Sequence, residues 1–302
     1  MRPVAVLASR VRYEEKRIFA ALERREVPYV HIDTRRFSAE LEAASGPKAG
    51  RHLEYAAALN REISHSRGLY ASLLLEAQGV PTVNRSEVIA VCGDKLRTSL
   101  ELERAGIPVP RTAVALTPEA GADAAEKLGF PVVIKPLTGS WGRLAAAVHD
   151  RAGAETVLEH RAALPSPQQH IVYLQELVDK PGRDVRVIVA GDEVIGATYR
   201  YGDGWRTNAA LGGRSEPCPL TPELTEPARA AARAVGGGLL GVDLIEGPDG
   251  PLVLEVNHTV EFRGFQEAHG EAVDVADAIV THVLAAAAAA HVGDGPRREE
   301  TG

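Results

Sequence analysis

The sequence predicts an α/β (α+β) fold of three modules, and two patterns carry this prediction. Through the N-terminal third, short apolar runs alternate with amphipathic segments, which is typical of a parallel sheet covered by helices. In the last third, strand-like runs follow one another across tight turns, which favours an antiparallel sheet. The length of 302 residues exceeds one typical domain and leaves room for a smaller α+β module between the two.

The N-terminal module is predicted over residues 1–90 as a parallel α/β domain. Its strands are expected at Val4–Ala8, Pro28–Asp33 and Val80–Asn84, and its helices at Tyr13–Glu26 and Arg67–Gln78. The strands are short and apolar, as buried parallel strands are, whereas the first helix carries apolar residues at helical spacing among charges. This order predicts strand–helix alternation around a single sheet.

A second module is predicted over residues 91–172 as a small α+β domain. One helix over Ser86–Ala105 leads into it and ends at Gly106-Ile107-Pro108, a stop signal. The further elements are expected to be strands at Thr112–Ala115, Phe130–Pro136 and Leu144–His149 and a helix at Pro118–Leu128. Because the short glycine-flanked turn at residues 139–143 separates the last two strands, we expect them to pair antiparallel.

The third module is predicted over residues 173–290, with residues 291–302 as a flexible polar tail. Strands are expected at Ile171–Val178, Asp184–Ala190, Val194–Tyr201, Leu239–Ile245 and Leu252–Asn257, and helices at Thr221–Val235 and Val273–Ala290. Gly191-Asp192 and Pro248-Asp249-Gly250 are turn sequences, so hairpins are predicted on both sides of a polar loop at Gly202–Pro219. The module is therefore expected to be a mainly antiparallel sheet with helices.

The composition excludes several classes of protein. Lys and Arg number 34 against 41 Asp and Glu, and the resulting charge of −7 disfavours a nucleic-acid-binding protein. Two cysteines are too few for a disulfide scaffold or a four-cysteine zinc site, and they fit a reducing cytoplasm. No apolar run reaches the length of a membrane helix, and charges interrupt the first apolar run, so neither membrane insertion nor secretion is expected.

Two lysines are candidate anion ligands. Lys135 ends the apolar run Val132–Ile134, where an ammonium loses hydration unless an anion meets it or the side chain reaches the surface. The glycine turn that follows can offer backbone N–H groups to a phosphate, although it lacks the lysine and hydroxyl residue that end a P-loop. Lys95, which follows Gly93-Asp94, is by itself better explained as an ordinary helical lysine.

An acidic cluster is predicted on two neighbouring strands. Glu255 and Asn257 lie two residues apart in one strand, so their side chains share a face, and Asp243 joins them if the strands form a hairpin. Three oxygen ligands among Val and Leu suit Mg²⁺ bound together with substrate phosphates. The same pattern also fits the solvated face of an antiparallel sheet, and the residues alone leave both interpretations open.

Arginines precede this cluster in the sequence. Arg186 lies in one predicted strand, Arg200 ends the next, and Arg206 lies in the polar loop beside Thr207 and Asn208. Guanidinium groups bind phosphoryl oxygens and carboxylates as forks, although any one of these arginines taken singly fits a solvated face. Together with the lysines and the oxygen ligands, the set is typical of a site for phosphoryl transfer.

The order of these motifs resembles one family. The series is Gly93-Asp94-Lys95, Ile134-Lys135-Pro136, Gly139–Arg143, Gln175–Val178, Gly182–Arg186, Arg206–Asn208, Gly212-Gly213, Gly241–Leu244 and Glu255–His258. It resembles the ATP-grasp carboxylate–amine ligases of the RimK-like group. Ser64–Leu69, Val83-Asn84-Arg85 and Glu255–Thr259 resemble its LysX branch, which joins 2-aminoadipate to the amino-group carrier protein LysW. The resemblance runs to about residue 285 and implies a three-module ATP-grasp fold.

The resemblance also implies a role for individual residues. The ATP phosphates would be held by Lys95, Lys135, Gly139, Ser140, Trp141 and Gly142. The rest of the nucleotide would be contacted by Asp184, Arg206, Thr207 and Asn208 and by backbone groups of Glu176 and Leu177, which face adenine. Two Mg²⁺ ions would be held by Asp243, Glu255 and Asn257. Catalysis would depend on Arg186 and Arg206. The binding site for the amino-acid substrate would be formed by Asn208, Gly212, Gly213, Asn257 and Thr259.

The implied reaction is ATP-dependent amide formation in the cytoplasm. The side-chain carboxylate of the C-terminal glutamate of a small acidic LysW-type carrier would become an acyl phosphate, which the amino group of an amino acid then attacks. Positioning and charge neutralisation suffice for this chemistry, so no covalent enzyme nucleophile is required. Because the chain is acidic, an acidic carrier would need a local basic patch, expected at Arg61, Arg67, Arg85 and Arg97. The resemblance further implies a dimer or tetramer.

Two segments depart from the LysX pattern where the amino acid is expected. Arg214–Cys218 stands where a Gln-Ala-Glu-Asn-like stretch is usual, and Arg263–Gln266 is also less typical. The amine substrate is therefore open between 2-aminoadipate, glutamate and a less usual amino acid of a secondary pathway. Two other functions remain as alternatives: a RimK-like ligase acting on another protein tail or a free amino-acid carboxylate, and a non-catalytic ATP-binding regulator.

Overall fold

The computed structural model describes residues 2–39, 54–139, 144–202, 204–205, 207 and 214–293. The chain divides into two compact units. One comprises Met1–Ile89, Glu261–Arg263 and Asp274–Gly302, and the other comprises Ala90–Val260 and Gly264–Val273. The finer division into modules of residues 1–90, 91–172 and 173–290 stays a prediction.

The described residues form thirteen strands and nine α-helices. The strands are β1 (Val4–Leu7), β2 (Tyr29–Ile32), β3 (Ala57–Asn60), β4 (Thr82–Val83), β5 (Thr112–Ala115), β6 (Val132–Lys135), β7 (Ala146–Val148), β8 (Val172–Glu176), β9 (Arg183–Ala190), β10 (Glu193–Tyr201), β11 (Ser215–Cys218), β12 (Leu239–Gly247) and β13 (Gly250–Asn257). The helices are α1 (Tyr13–Arg24), α2 (His65–Ala77), α3 (Ser86–Cys92), α4 (Lys95–Arg104), α5 (Pro118–Leu128), α6 (Arg151–Ala162), α7 (Pro222–Ala234), α8 (Arg263–His269) and α9 (Val275–Gly293). None of these helices is long and apolar enough to cross a membrane.

The first unit contains a parallel sheet in the order β2-β1-β3-β4, which confirms the predicted sheet type. β1 and β3 are buried along their whole lengths, and Leu7, Ala58 and Leu75 pack together in the core. The sequence prediction missed β3, because Ala57-Ala58 lacks the β-branched and aromatic residues that mark a strand. The parallel pairing with β1 stabilises this strand, although its own residues have a low preference for strands.

Helix α9 belongs to the first unit, although we expected it to close the third module. It packs on α1 and β3, burying Ile279, Val280 and Val283. Next to it, Arg24 of α1 pairs with Asp274 at 2.7 Å. The apolar spacing of a helix shows that one face is buried but not which earlier sheet receives that face.

The second unit contains two antiparallel sheets, in the orders β5-β8-β6-β7 and β11-β10-β9-β12-β13. The hairpins predicted at Gly191-Asp192 and at Pro248–Gly250 are present as β9–β10 and β12–β13. β6 and β7 pair antiparallel, as the glycine turn between them predicted. These hairpins bring the candidate site residues of the C-terminal half onto adjacent strands.

The helix expected over Ser86–Ala105 is two helices, because Asp94 caps a new one. The Asp94 carboxylate accepts hydrogen bonds from the backbone N–H groups of Leu96 and Arg97 at 2.9 and 3.1 Å. This cap makes Lys95 the first residue of α4. Helices α6 and α8 and the edge strand β11 were also not predicted.

Arg61 is buried, which contradicts its expected place in a basic surface patch. Its side chain lies in the core of the first unit, where Nε donates to Glu15 at 3.2 Å. Arg67 is half-exposed but pairs with Glu62 at 3.2 Å. The expected patch therefore loses one arginine, and the charge of a second is partly neutralised.

Candidate active site

A cleft in the second unit is lined by residues from both of its sheets and from α4. It encloses about 920 Å³ when the solvent-filled space at its open mouth is included. Its apolar lining includes Val133, Ala145, Leu177, Val178, Ile245 and Leu254. Its polar lining includes Lys95, Lys135, Gln175, Lys180, Asp184, Thr207 and Glu255. Apolar walls combined with ammonium groups suit a flat heterocycle that carries phosphates.

Lys95 links two predicted parts of the site. Its Nζ donates to the backbone carbonyl of Gly139 at 3.1 Å and lies 3.2 Å from Glu255 Oε1. Gly139 takes a φ of 138°, which favours glycine, and it also lines the cleft. The ammonium of Lys95 therefore joins the glycine turn to the strand that carries the predicted metal ligands.

Lys135 ends β6 opposite Tyr173 of β8. Its ammonium donates a hydrogen bond to the side-chain carbonyl of Gln175. Burial lowers the pKa of Lys135 to about 8; Glu255 opposes this shift, and the positive charges of Lys95 and Lys180 add to it. An anionic ligand in the cleft would raise the pKa again and hold the ammonium in its charged form.

We expect nucleotide affinity to fall as the pH rises through about 8. Below this pH Lys135 is protonated and attracts phosphates, whereas above it the neutral amine does not. The dissociation constant should therefore rise by up to about tenfold per pH unit. Calorimetric titration with Mg·ADP between about pH 7 and pH 9.5 measures this, and Lys135→Arg should flatten the profile because arginine stays charged. A wild-type dissociation constant that does not change with pH would contradict the role of Lys135 in phosphate binding.

The three predicted oxygen ligands lie together. Asp243 of β12 and Glu255 of β13 are directly opposite in the antiparallel register, and Asn257 Nδ2 donates to Asp243 Oδ2 at 3.4 Å. Asp243 is only 5% exposed, so the solvated-face interpretation is wrong for this residue. The hairpin between β12 and β13 accounts for the grouping, because it pairs the two strands across a short turn.

Two arginines hold the Asp243 carboxylate. Arg186 of β9 lies opposite Asp243 in register and donates to both carboxylate oxygens, with Nη2 2.9 Å from Oδ2. Arg200 of β10 lies 3.0 Å from Oδ1. Burial favours the neutral acid, but Arg186 and Arg200 outweigh it and lower the pKa of Asp243. The buried carboxylate is therefore kept ionised.

The donor set fits a hard divalent cation. Within the described ranges no group of three or more His, Cys, Asp and Glu side chains is arranged to hold a metal ion. The set at this site is instead two carboxylates, Asp243 and Glu255, with the amide of Asn257. The carboxylate of Asp243 has about four acceptor positions. Arg186, Arg200 and Asn257 donate to all of them, so a cation bound to Asp243 would take the place of one of these donors. Mg²⁺ is usually held by one or two carboxylates together with substrate phosphates, which this set matches.

Glu176 is the last residue of β8 and Leu177 follows it. Both line the cleft, and both of their backbone N–H groups already have partners. Glu176 N–H donates to the carbonyl of Arg111 at 2.9 Å, and Leu177 N–H donates to the carbonyl of Pro131 at 3.1 Å. The Glu176 carboxylate accepts from the Arg111 backbone and guanidinium at 2.9 and 2.8 Å. Adenine binding by backbone groups of these two residues would therefore use their carbonyl oxygens.

The remaining predicted residues are described only in part. Thr207 lines the cleft and is 1% exposed, and Thr259 Oγ1 lies 3.0 Å from His258 Nδ1. Seven of the predicted residues lie outside the described residues: Ser140, Trp141, Gly142, Arg206, Asn208, Gly212 and Gly213. Their roles stay predictions.

The polar residues Tyr173, Gln175 and Lys180 also line the cleft, and the sequence had assigned none of them a role. Tyr173 and Gln175 alternate along β8, so the two-residue period of a strand places them on one face and could have identified them once β8 was paired with β6. Lys180 lies in the loop between β8 and β9, where no sequence spacing marks it. Only the fold brings Lys180 to the cleft.

Comparisons with known proteins agree with this architecture. A family model described as a RimK-like ATP-grasp domain matches residues 92–283, and one described as a LysX preATP-grasp domain matches residues 4–91. The glutamate–LysW ligase ArgX of Sulfurisphaera tokodaii is 37% identical over 283 residues, covering 93% of this chain and 97% of the relative. The alpha-aminoadipate–LysW ligase LysX of Saccharolobus solfataricus is 39% identical over 207 residues, covering 68% of this chain and 75% of the relative.

A solved structure gives the same result. The RimK domain ATP-grasp protein of Sphaerobacter thermophilus superimposes with a TM-score of 0.77 at 31% identity, covering 93% of this chain and 99% of that chain. The cleft, its lysines and its facing carboxylates all lie within the range that the ATP-grasp model matches. The chain therefore belongs to the RimK-like ATP-grasp family of ligases, whose members use ATP and typically Mg²⁺.

Proposed function

We propose that this enzyme joins the amino group of an amino acid to the side-chain carboxylate of the C-terminal glutamate of a small acidic LysW-type carrier protein. One observation carries the chemistry: Lys95 and Lys135 share a cleft with Glu255, which faces Asp243 across a hairpin. The similarity to the ArgX ligase of Sulfurisphaera tokodaii over 93% of the chain supports the carrier as partner. The geometry of the cleft and the similarity to ArgX both support a ligase that forms an acyl phosphate.

The reaction proceeds in two displacements. A carboxylate oxygen of the carrier attacks the γ-phosphorus of ATP, and the bond from that phosphorus to the β–γ bridging oxygen breaks, releasing ADP. The amino nitrogen then attacks the acyl carbon, phosphate leaves with the electron pair of the broken C–O bond, and the nitrogen loses its proton to water. No bond to an enzyme atom forms, so positioning and charge neutralisation are what the protein contributes.

The residues of the cleft have different roles in this reaction. Lys95 and Lys135 bind the phosphates, and Arg186 with Arg206 stabilises the charge on the transferred phosphoryl group. Asp243, Glu255 and Asn257 would hold two Mg²⁺ ions, which neutralise phosphate charge when bound. Arg186 is oriented by its two hydrogen bonds to Asp243, so its guanidinium does not need to reorganise during the reaction.

The two segments that depart from the LysX pattern meet in space. A Cβ atom on Gly264 of α8 would lie 3.3 Å from Ser215 Oγ of β11. We propose that this contact belongs to a wall of the amino-acid pocket, together with Thr259 and Asn257. Glutamate and 2-aminoadipate differ by one methylene, which a pocket wall distinguishes by only about 1–3 kcal/mol. The amine substrate is therefore to be found by direct comparison.

The cellular compartment and the assembly of the enzyme are two further parts of the proposal. Both described cysteines, Cys92 and Cys218, are free, which fits a reducing compartment. We propose a cytoplasmic enzyme that assembles as a homodimer or homotetramer. Light scattering on the purified chain would measure the assembly directly.

The expected result of the activity assay is a mass shift on the carrier. With ATP and Mg²⁺, the purified carrier should gain the mass of one amino acid less one water, with one ADP released per amide. The amino acids to compare are glutamate, 2-aminoadipate and their longer and shorter homologues. A carrier that lacks its terminal glutamate is the control and should gain no mass. A carrier unchanged with every amino acid, while ADP is released with free amino acids alone, would refute the carrier and favour a free carboxylate as substrate.

A further inference from the structure

Lys180 lies on the wall of the nucleotide cleft and is held there by one hydroxyl group. Its Nζ donates to Thr207 Oγ1 at 2.7 Å. Burial lowers the pKa of Lys180, which Asp184 opposes. An ammonium that is drawn partly out of water into the lining of a cleft is stabilised when an anion enters that cleft.

Thr207 connects Lys180 to Asp184. The Thr207 hydroxyl accepts from Lys180 and donates to Asp184 Oδ2 at 2.5 Å, so its single proton is already committed. The other oxygen of Asp184 accepts from Arg200 Nε at 2.6 Å. Asp184 and Thr207 are each 1% exposed. Both oxygens of the Asp184 carboxylate are therefore bound to protein groups.

Within the network that links Lys180, Asp184 and Asp243, the two arginines are paired with carboxylates and Lys180 is bound to a hydroxyl group. Arg200 pairs with Asp184 and also with Asp243, and Arg186 pairs with Asp243. The two guanidinium groups thus neutralise the two buried carboxylates. Among the described residues, Lys180 has a hydroxyl rather than a carboxylate at hydrogen-bond distance. Its charge is the part of the network that an anionic ligand can complement.

We propose that Lys180 binds the phosphates of the nucleotide, and that Asp184 positions Lys180 through Thr207. The proposal rests on the use of ATP by this family and on neither the carrier nor the amino acid.

Calorimetric titration of the full chain with Mg·ADP tests the role of Lys180. Lys180→Met removes the charge but keeps the length, and it should weaken binding by about tenfold or more, as loss of a charged hydrogen bond does. Lys127→Met is the matched control, because Lys127 is exposed in the last turn of α5 and should leave the dissociation constant unchanged. A folded Lys180→Met protein that binds Mg·ADP like the wild type would overturn the proposal.

The positioning of Lys180 through Thr207 is tested by a double-mutant cycle. Thr207→Val should weaken Mg·ADP binding by about threefold to tenfold, and Thr207→Ser, which keeps the hydroxyl, should restore it. In a Lys180→Met background, Thr207→Val should have no further effect, because Thr207 acts through Lys180. Effects of the two substitutions that multiply instead would show that Thr207 acts independently of Lys180 and would overturn this part of the proposal. Asp184→Asn would also remove a partner of Arg200, so it does not enter the cycle.

These measurements separate the inference from the proposed function. They need only the enzyme, Mg²⁺ and ADP, so a failure of the carrier assay leaves their outcome unaffected. Conversely, a successful mass shift on the carrier with unaltered binding by Lys180→Met would uphold the proposed function and remove Lys180 from it.

Discussion

Glu255→Ala should lower ADP release by roughly a thousandfold or more while the fold stays intact. The lost carboxylate is a proposed metal ligand, and stabilisation of phosphoryl charge by a metal contributes several kcal/mol, each 1.36 kcal/mol being a factor of ten in rate. Stability should change by only about 1 kcal/mol, because the Glu255 side chain is 32% exposed and Lys95 keeps its hydrogen bond to Gly139 when the carboxylate is removed. A coupled ADP-release assay measures the rate, and Mn²⁺ titration in the presence of ADP measures the metal site without turnover.

Glu246→Ala is the matched control for that change. Glu246 lies on the neighbouring strand β12, is 33% exposed, and pairs with Arg183 at 2.7 Å, but it does not line the cleft. Its loss should therefore leave both ADP release and Mn²⁺ binding close to wild type. Unchanged turnover of the Glu255 variant would refute the metal assignment. A loss of turnover with unchanged Mn²⁺ binding would give Glu255 a different role, through its contact with Lys95.

The parts of the site that the sequence predicted are those that local geometry determines. Glu255 and Asn257 share a strand face because side chains alternate with a period of two. Asp243 joins them because a short turn at Pro248–Gly250 pairs the two strands directly. In the same way, the glycine turn after Lys135 predicts a hairpin. Such features need only a few consecutive residues, and a single sequence contains all the information they require.

The parts of the fold and of the site that the sequence could not predict depend on pairing between distant segments. Arg186 meets Asp243 because β9 and β12 are neighbours, which no periodicity within either strand specifies. Lys180 reaches the cleft through a loop whose path is set by the strands on both sides. The destination of α9 in the first unit is a further case, since the residues between it and β3 carry the whole second unit.

Arg61 shows why the expected basic patch was wrong in part. Arginine is rarely fully buried unless it is paired, so its surface placement was the reasonable expectation from sequence. The pairing partner is Glu15, far away in the chain, and only the packing of α1 against the sheet brings the two together. Burial of a charge is therefore predicted reliably only when its partner is already known.

Asp243→Ala should destabilise the second unit by about 3–5 kcal/mol as well as abolish turnover. The Asp243 side chain is 6% exposed, and removing it leaves the guanidinium of Arg186, 15% exposed, without its carboxylate partner. Breaking a buried ion pair from one side has this cost because the remaining charge is desolvated without compensation. Urea unfolding followed by tryptophan fluorescence reports on this unit, because Trp141 and Trp205 both belong to it.

Two further variants distinguish the electrostatic cost from a general effect of losing an aspartate. Asp192→Ala removes a carboxylate that is 80% exposed and pairs with Arg233 at 2.7 Å, so it should cost less than about 1 kcal/mol. Asp243→Ala combined with Arg186→Met removes both charges of one pair and should recover part of the lost stability without recovering turnover. If the double variant is less stable than Asp243→Ala by the full cost of a second independent substitution, Arg186 and Asp243 are not coupled. In that event the ionised state of Asp243 would depend on Arg200, which also pairs with Asp184 and so joins the two carboxylates of the site.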